Sequence, residues 1–279
     1  MDFFKGRRLV IATKHQKEII IGPKAASRLG VLPFVPEDFD TDVLGTFSGE
    51  VPRESDPLST ARRKCELAME LTGCDLAIAS EGSFGAHPAY VFIPGNEEIV
   101  MLKDLKNDLE IVGKKLSTDT NFGGEVCRNQ EELEAFAIKS GFPDHALIIR
   151  NAQDSAETIF TGINSWDNLR SKFQNIMGRY GDAFIETDMR AMYNPKRMKV
   201  IGEATDNLLE LALTSCSECE TPGYGITDVV KGLPCDLCGA PTQSIKSYIY
   251  SCKKCGHREI RPNPHKSVES PQYCDFCNP

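Results

Sequence analysis

The sequence predicts a mixed α/β domain, its sheet mostly parallel and covered by helices on both faces, followed by a small domain of zinc-ribbon type. Three observations carry this. Strand-like and helix-like segments alternate through the first two-thirds of the 279 residues, the pattern of a sheet layered between helices. The run at residues 75–80 (DLAIAS) is apolar on both faces, as a central parallel strand is. Eight of the eleven cysteines fall into four Cys-x-x-Cys pairs, all in the last quarter of the chain.

Residues 8–13 (RLVIAT) form the first expected strand, and the stretch after it a weak helix to about Leu29 that Pro23 interrupts. Residues 31–35 make a second, short strand. The loop over 36–55, with Gly45, Gly49 and Pro52, is longer than a compact domain needs for a connection, which points to function. Residues 56–72 are the clearest helix. Pro57 suits its first turn, Leu58, Ala61, Cys65, Ala68 and Met69 recur at helical spacing, and Gly73 stops it. Beyond the strand at 75–80, Gly82 and Gly85 predict a turn. Residues 98–103 and 109–116 flank an antiparallel hairpin.

Asn129 with Glu132 makes a capping box for a helix through Lys139. Strands are expected at 145–150, 157–163 and 183–187, with a helix between the last two marked by Trp166, Leu169, Phe173, Ile176 and Met177. Asn194 and Pro195 open a final helix to about Leu213. Composition changes there, so the α/β domain is set at residues 1–213 and the cysteine-rich domain at 214–279.

The tail from Cys216 onward balances seven basic with seven acidic residues, so the whole net charge of -8 lies in residues 1–215. Neither part has the basic excess of a nucleic-acid binder. No apolar run approaches the roughly 20 residues of a membrane span, and the N-terminus lacks the signal-peptide pattern. A cytoplasmic protein without a membrane partner is expected. In a reducing compartment the pairs Cys216/Cys219, Cys235/Cys238, Cys252/Cys255 and Cys274/Cys277 are metal sites rather than disulfides. Eight thiolates fill two tetrahedral zinc sites and leave no open position, the mark of structural metal. The strand-length segment between Cys238 and Cys252 favours a ribbon with the two inner pairs on one zinc and the two outer pairs on the other; sequential pairing is the alternative. So short a tail, with few large apolar side chains, needs the metal in place of a core. Cys65, Cys74 and Cys127 fit small buried apolar positions.

Three clusters could carry chemistry. Thr13, Lys14 and Lys17 sit where a strand hands over to a helix, the place where open α/β sheets bind ligands and where helix N-termini favour phosphate. The alternative is a solubilising exposed turn. Glu81 follows its strand directly, with Ser83 among the glycines that let a ligand approach the backbone; a carboxylate there suits Mg²⁺. The third cluster, FIETDMRAMYNPKRM, brings Glu186, Asp188 and Arg190 to a strand end, then Asn194, Lys196 and Arg197 to a helix start. Cations oppose the helix dipole at that end, so an anion on the helix N-terminus would explain them. The alternative is a salt-bridge network of Arg190 and Arg197 with Glu186 and Asp188. The polar loop at 117–125, with Asp119 and Asn121, is expected to be a plain connection, and His87 an ordinary loop histidine.

The whole chain resembles a bacterial family of domains of unknown function whose members carry an IAT-x-H-x-K-E start, an ASEGSFG-x-HP segment, a TDMRA…NP-x-RM segment and a cysteine-rich tail. Residues 1–213 also resemble, more distantly, the inosine/xanthosine triphosphate pyrophosphatases. Thr13 and Lys17 match the first motif of those enzymes, with His15 near its Asn position; Ala61 and Lys64 match the following helix, Ser80–Gly82 the acid-Gly turn, and Arg197 a late helix start. The chain departs from that pattern at Ser59, where a glutamate is usual, and at Ser80-Glu81 in place of paired aspartates. This resemblance implies a metal-dependent phosphohydrolase.

Together these expectations describe a Mg²⁺-dependent hydrolase of a nucleotide or other phosphorylated small molecule. Glu81, with Glu186 or Asp188, would hold the metal; Thr13, Lys14, Lys17, Ser83, Arg190, Asn194 and Arg197 would bind substrate, and two structural zinc ions would hold the tail. The alternatives are a non-catalytic module that senses a nucleotide while the tail docks to protein or RNA, and a structural scaffold.

Overall fold

Leu9, Val10 and Ile11 form the fully buried centre of β1 (Arg8–Ala12), the strand around which the first sheet of this computed structural model is built. Residues 3–37, 39, 56–88 and 91–279 are described, so the long loop with Gly45, Gly49 and Pro52 lies outside them. After β1 come α1 (Glu18–Leu29), β2 (Leu32–Phe34), α2 (Pro57–Thr72), β3 (Leu76–Ala86), β4 (Pro94–Asp104) and β5 (Leu109–Ser117). The sheet order is β2-β1-β3-β4-β5. Only the β1–β2 and β1–β3 pairings are parallel. Residues 87–93 and 105–108 are too short for the crossover that a parallel return needs, so β3, β4 and β5 run antiparallel. The expected mixed sheet is present, with its parallel part confined to three strands.

Helices cover both faces. On one face Ala77 and Ala79 pack with Val10, Ile99 and Met101 against Ala61, Cys65 and Ala68 of α2. On the other, Gly22 of α1 rests on Ile11, and Gly113 lies against the backbone of Ala204 and Leu208 in the last helix, α5 (Pro195–Leu213). Asp56 caps α2 by accepting from the amides of Leu58 and Ser59, and Gly73 ends it in the left-handed conformation.

Two expectations fail here. Pro23 lies inside α1 without breaking it. Its ring is exposed and it forfeits one bond, to the Ile19 carbonyl. Glu81, Gly82 and Gly85 do not form a turn: β3 runs on through them, paired residue by residue with β4 from Glu81↔Ile99 to Ala86↔Pro94.

A second sheet holds β6 (Gly124–Cys127), β7 (Leu147–Arg150), β8 (Ile159–Ile163) and β9 (Ala183–Thr187), in the order β6-β9-β7-β8 and antiparallel throughout. It has its own core, in which Leu147, Ile149 and Ile185 meet Leu133 and Phe136 of α3 (Gln130–Ser140) and Leu169 and Phe173 of α4 (Trp166–Tyr180). Asn129 caps α3 as expected, and Glu132 accepts from the amide of Arg128. The single sheet expected from the sequence is therefore two.

The chain divides into one unit over Phe4–Leu209, which contains both sheets, and another built on Glu210–Pro279. The second holds the antiparallel sheet β10 (Gly225–Lys231), β11 (Ile245–Ser251) and β12 (Arg258–Pro262). Its buried cluster is small: Tyr224 packs with Cys216 and Cys252. Among the described residues no helix is long and apolar enough to cross a membrane.

A methyl group at Gly113 would strike backbone of α5, whereas one at Gly123 would meet open space. Gly113→Ala is expected to lower the unfolding free energy by about 1–3 kcal/mol and Gly123→Ala to change it by less than about 0.5 kcal/mol, as read by denaturant titration.

Candidate functional site

The eight paired cysteines converge into two quartets, Cys216/Cys219/Cys252/Cys255 and Cys235/Cys238/Cys274/Cys277, with the sulfurs of each within 4.8 Å of one another. The first Cys-x-x-Cys pair shares a site with the third, and the second with the fourth. Neither the nested nor the sequential pairing occurs. The hairpin of β10 and β11 explains this, because its register lays Gly225 beside Ser251 and so brings the first pair to the third. Across each quartet the Sγ–Sγ separations are 3.8 Å (Cys216–Cys255), 3.6 Å (Cys219–Cys252), 3.9 Å (Cys235–Cys277) and 3.7 Å (Cys238–Cys274). Four sulfurs about 2.3 Å from a tetrahedral ion lie about 3.8 Å apart. The donor set therefore fits zinc, and each quartet can hold one metal ion.

In the Phe4–Leu209 unit, charged side chains are buried where β1 ends. The β1–β3 pairing stops at Ala12↔Ala79, while β3 continues for seven more residues. Gln16, with a φ of 59°, bends the chain between β1 and α1, an uncommon conformation for a residue other than glycine. The next residue, Lys17, is 5% exposed and donates from Nζ to the Ser80 carbonyl at 3.0 Å. On one face of the sheet Lys64 of α2 pairs with Glu81. On the other, Arg197 pairs with Glu98 at 2.7 Å, both side chains fully buried.

The two acids are thus taken. Glu98 lies across from Gly82, and any Cβ at position 82 would enter the Glu98 carboxylate. That contact, and no turn, is why a glycine follows Glu81. Among the described residues Lys17 has no carboxylate partner. Burial, with Arg197 next in effect and Lys64 adding to it, pushes the Lys17 ammonium down to about 7. Three cations face two carboxylates. Ser80 Oγ and Asn96 Oδ1, both buried, find no hydrogen-bond partner among the described residues.

The remaining expected residues fall into place around this cluster or away from it. Thr13 is buried and accepts from the His15 amide, while Lys14 is exposed. Asn194 caps α5 by accepting from the Arg197 amide at 3.0 Å, and its amide group donates to Asn121. The loop holding Asn121 is therefore tied to the helix start. Arg197 also donates to the Met189 carbonyl and lies over the Phe84 ring. Lys196 pairs with Asp119, so both cations in the first turn of α5 are answered by carboxylates of the chain itself.

Glu186 pairs with Arg150, and Asp188 with Arg190 and the Gly162 amide. Among the described residues the cysteine quartets are the groups of three or more metal-ligating side chains that converge; Glu81, Glu186 and Asp188 form no third. Ser83 lines a shallow groove of about 130 Å³ with Phe84, Gly95 and Leu116. Sequence reasoning missed Glu98 and Asn96, which sit inside an ordinary strand. The one available signal was the glycine at position 82, opposite Glu98.

Metal analysis of cysteine variants tests the pairing. The intact chain is expected to carry two ions. Cys216→Ser with Cys252→Ser should leave one, and Cys216→Ser with Cys274→Ser none. Nested pairing reverses those two results, and sequential pairing leaves none in either.

No curated protein matches the chain. A family model described as Domain of unknown function (DUF6671) matches residues 64–279, a span that takes in α2 from Lys64 onward, the Glu81 and Arg197 regions and all eight paired cysteines, though not β1 or Lys17. The chain belongs to that family.

Proposed function

We propose that the Phe4–Leu209 unit binds a small phosphorylated molecule where β1 ends, and that the Glu210–Pro279 unit is held by two structural zinc ions. Lys17 carries the first part. A buried cation without a counter-charge is costly, and a bound anion is what relieves it. The ligand would add the missing negative charge beside Lys17, with the Thr13 hydroxyl and the amides at the start of α1 as further donors. The likeness of Thr13, Lys17, Lys64 and Arg197 to the motifs of the triphosphate pyrophosphatases supports a phosphate over other anions.

Hydrolysis is the finer form of this function. A metal-activated water would require Glu81 to exchange its Lys64 partner for Mg²⁺. The buried ion pair opposes that exchange, so binding is the form the geometry supports best. For the zinc ions, four thiolates per site leave no coordination position for substrate, which is the arrangement of structural metal.

Nucleotides, sugar phosphates and inorganic phosphate, each with and without Mg²⁺, supply the test. A ligand at one hundred times its Kd is expected to stabilise the unit by about 2.7 kcal/mol and so to raise Tm, and Lys17→Met should remove the shift. No shift with any phosphorylated compound would overturn the proposal. Phosphate or pyrophosphate release that is lost in Glu81→Gln would turn binding into hydrolysis.

A further inference from the structure

Lys17 is also placed to act as a nucleophile. We propose that its Nζ forms a Schiff base with a small carbonyl compound that carries an anionic group, a phosphorylated aldehyde or ketone. The anionic group rests on the function proposed above; the reactivity of the amine does not.

Two independent features of the site support it. The amine is held by one acceptor, the Ser80 carbonyl at 3.0 Å, and the acids around it are committed elsewhere, Glu81 to Lys64 and Glu98 to Arg197. Without a carboxylate to fix a proton on it, Nζ can present its lone pair. Ser80 then supplies a hydroxyl from the same residue whose carbonyl holds the amine. That Oγ belongs to a side chain only 2% exposed and is unpartnered among the described residues. A buried hydroxyl without a partner is costly, and an oxygen developing on a bound carbonyl would satisfy it.

The charges around the amine act in the same direction. Desolvation, Arg197 from α5 and Lys64 from α2 favour the neutral amine, against Glu81 from β3 and Glu98 from β4. A lysine desolvated beside other cations is activated in this way.

The steps balance as follows. The Nζ lone pair forms the C–N bond while the carbonyl π electrons move to oxygen, and one N–H proton passes to that oxygen to give the carbinolamine. A second proton, taken up from solvent, leaves with the hydroxyl as water as the nitrogen lone pair closes the C=N bond. The iminium is cationic, and the anionic group of the substrate is its counter-charge.

Trapping with cyanoborohydride on the intact wild-type chain, followed by peptide mapping, tests this with glycolaldehyde phosphate and glycolaldehyde as probes. The phosphorylated probe is expected on Lys17 ahead of exposed lysines such as Lys14. With glycolaldehyde, which brings no anion to the site, trapping should rise about tenfold from pH 6 to pH 8 and then level off, whereas an ordinary lysine amine would keep rising toward pH 10. Adducts on exposed lysines with Lys17 unmodified would overturn the proposal. Equal trapping of both probes on Lys17 would keep the nucleophile and remove the anion site. A Tm shift with inorganic phosphate but no adduct on Lys17 would keep the anion site and remove the nucleophile.

Discussion

The buried ion pair between Arg197 and Glu98 is the constraint on which the Phe4–Leu209 unit turns. Two fully buried charges are tolerable only when nearly every donor and acceptor is answered. Arg197 meets this with the Glu98 carboxylate and the Met189 carbonyl, and its own amide bonds to the Asn194 side chain. The pair joins the start of α5 to β4 and fixes the segment between β9 and α5. It also dictates a sequence choice on the neighbouring strand, since Glu98 leaves no room for a Cβ at Gly82. Its consequence for function is indirect. With Glu98 held by Arg197 and Glu81 held by Lys64, no carboxylate among the described residues remains for Lys17.

The Glu210–Pro279 unit solves a different problem. Its apolar cluster is too small to stabilise a fold of that length. Interleaving lets eight cysteines replace the missing core: each quartet ties together chain segments more than 30 residues apart, and each site needs contributions from both halves of the unit. Neither half could then fold around its own metal, so binding of the two ions and folding should be coupled.

Elements announced by local signals were legible in the sequence. The Asp56-Pro57 cap and Gly73 stop frame α2, Asn129 with Glu132 opens α3, and β9 falls where its apolar run lies. What escaped depends on partners distant along the chain. A glycine serves a turn and a close packing contact equally well, so Gly82 and Gly85 concealed the second half of β3. Lys196 and Arg197 look like cations waiting for a ligand until Asp119 and Glu98 arrive from 77 and 99 residues away. The same holds for the metal expected at Glu81, whose carboxylate is met by Lys64. Cysteine spacing named the ligands, but only the β10–β11 register decides which of them share an ion. Lys17, by contrast, stands out in the sequence by its place after β1; that no carboxylate among the described residues meets it is visible only in the packed structure.

The ionisation of Lys17 in the intact protein tests the central claim most directly. Its side-chain resonances, followed by heteronuclear NMR from pH 5 to 11, should titrate with a midpoint near 7, rising when inorganic phosphate is added because a nearby anion favours the charged form. A midpoint near the ordinary lysine value of about 10.4, unmoved by phosphate, would contradict the account.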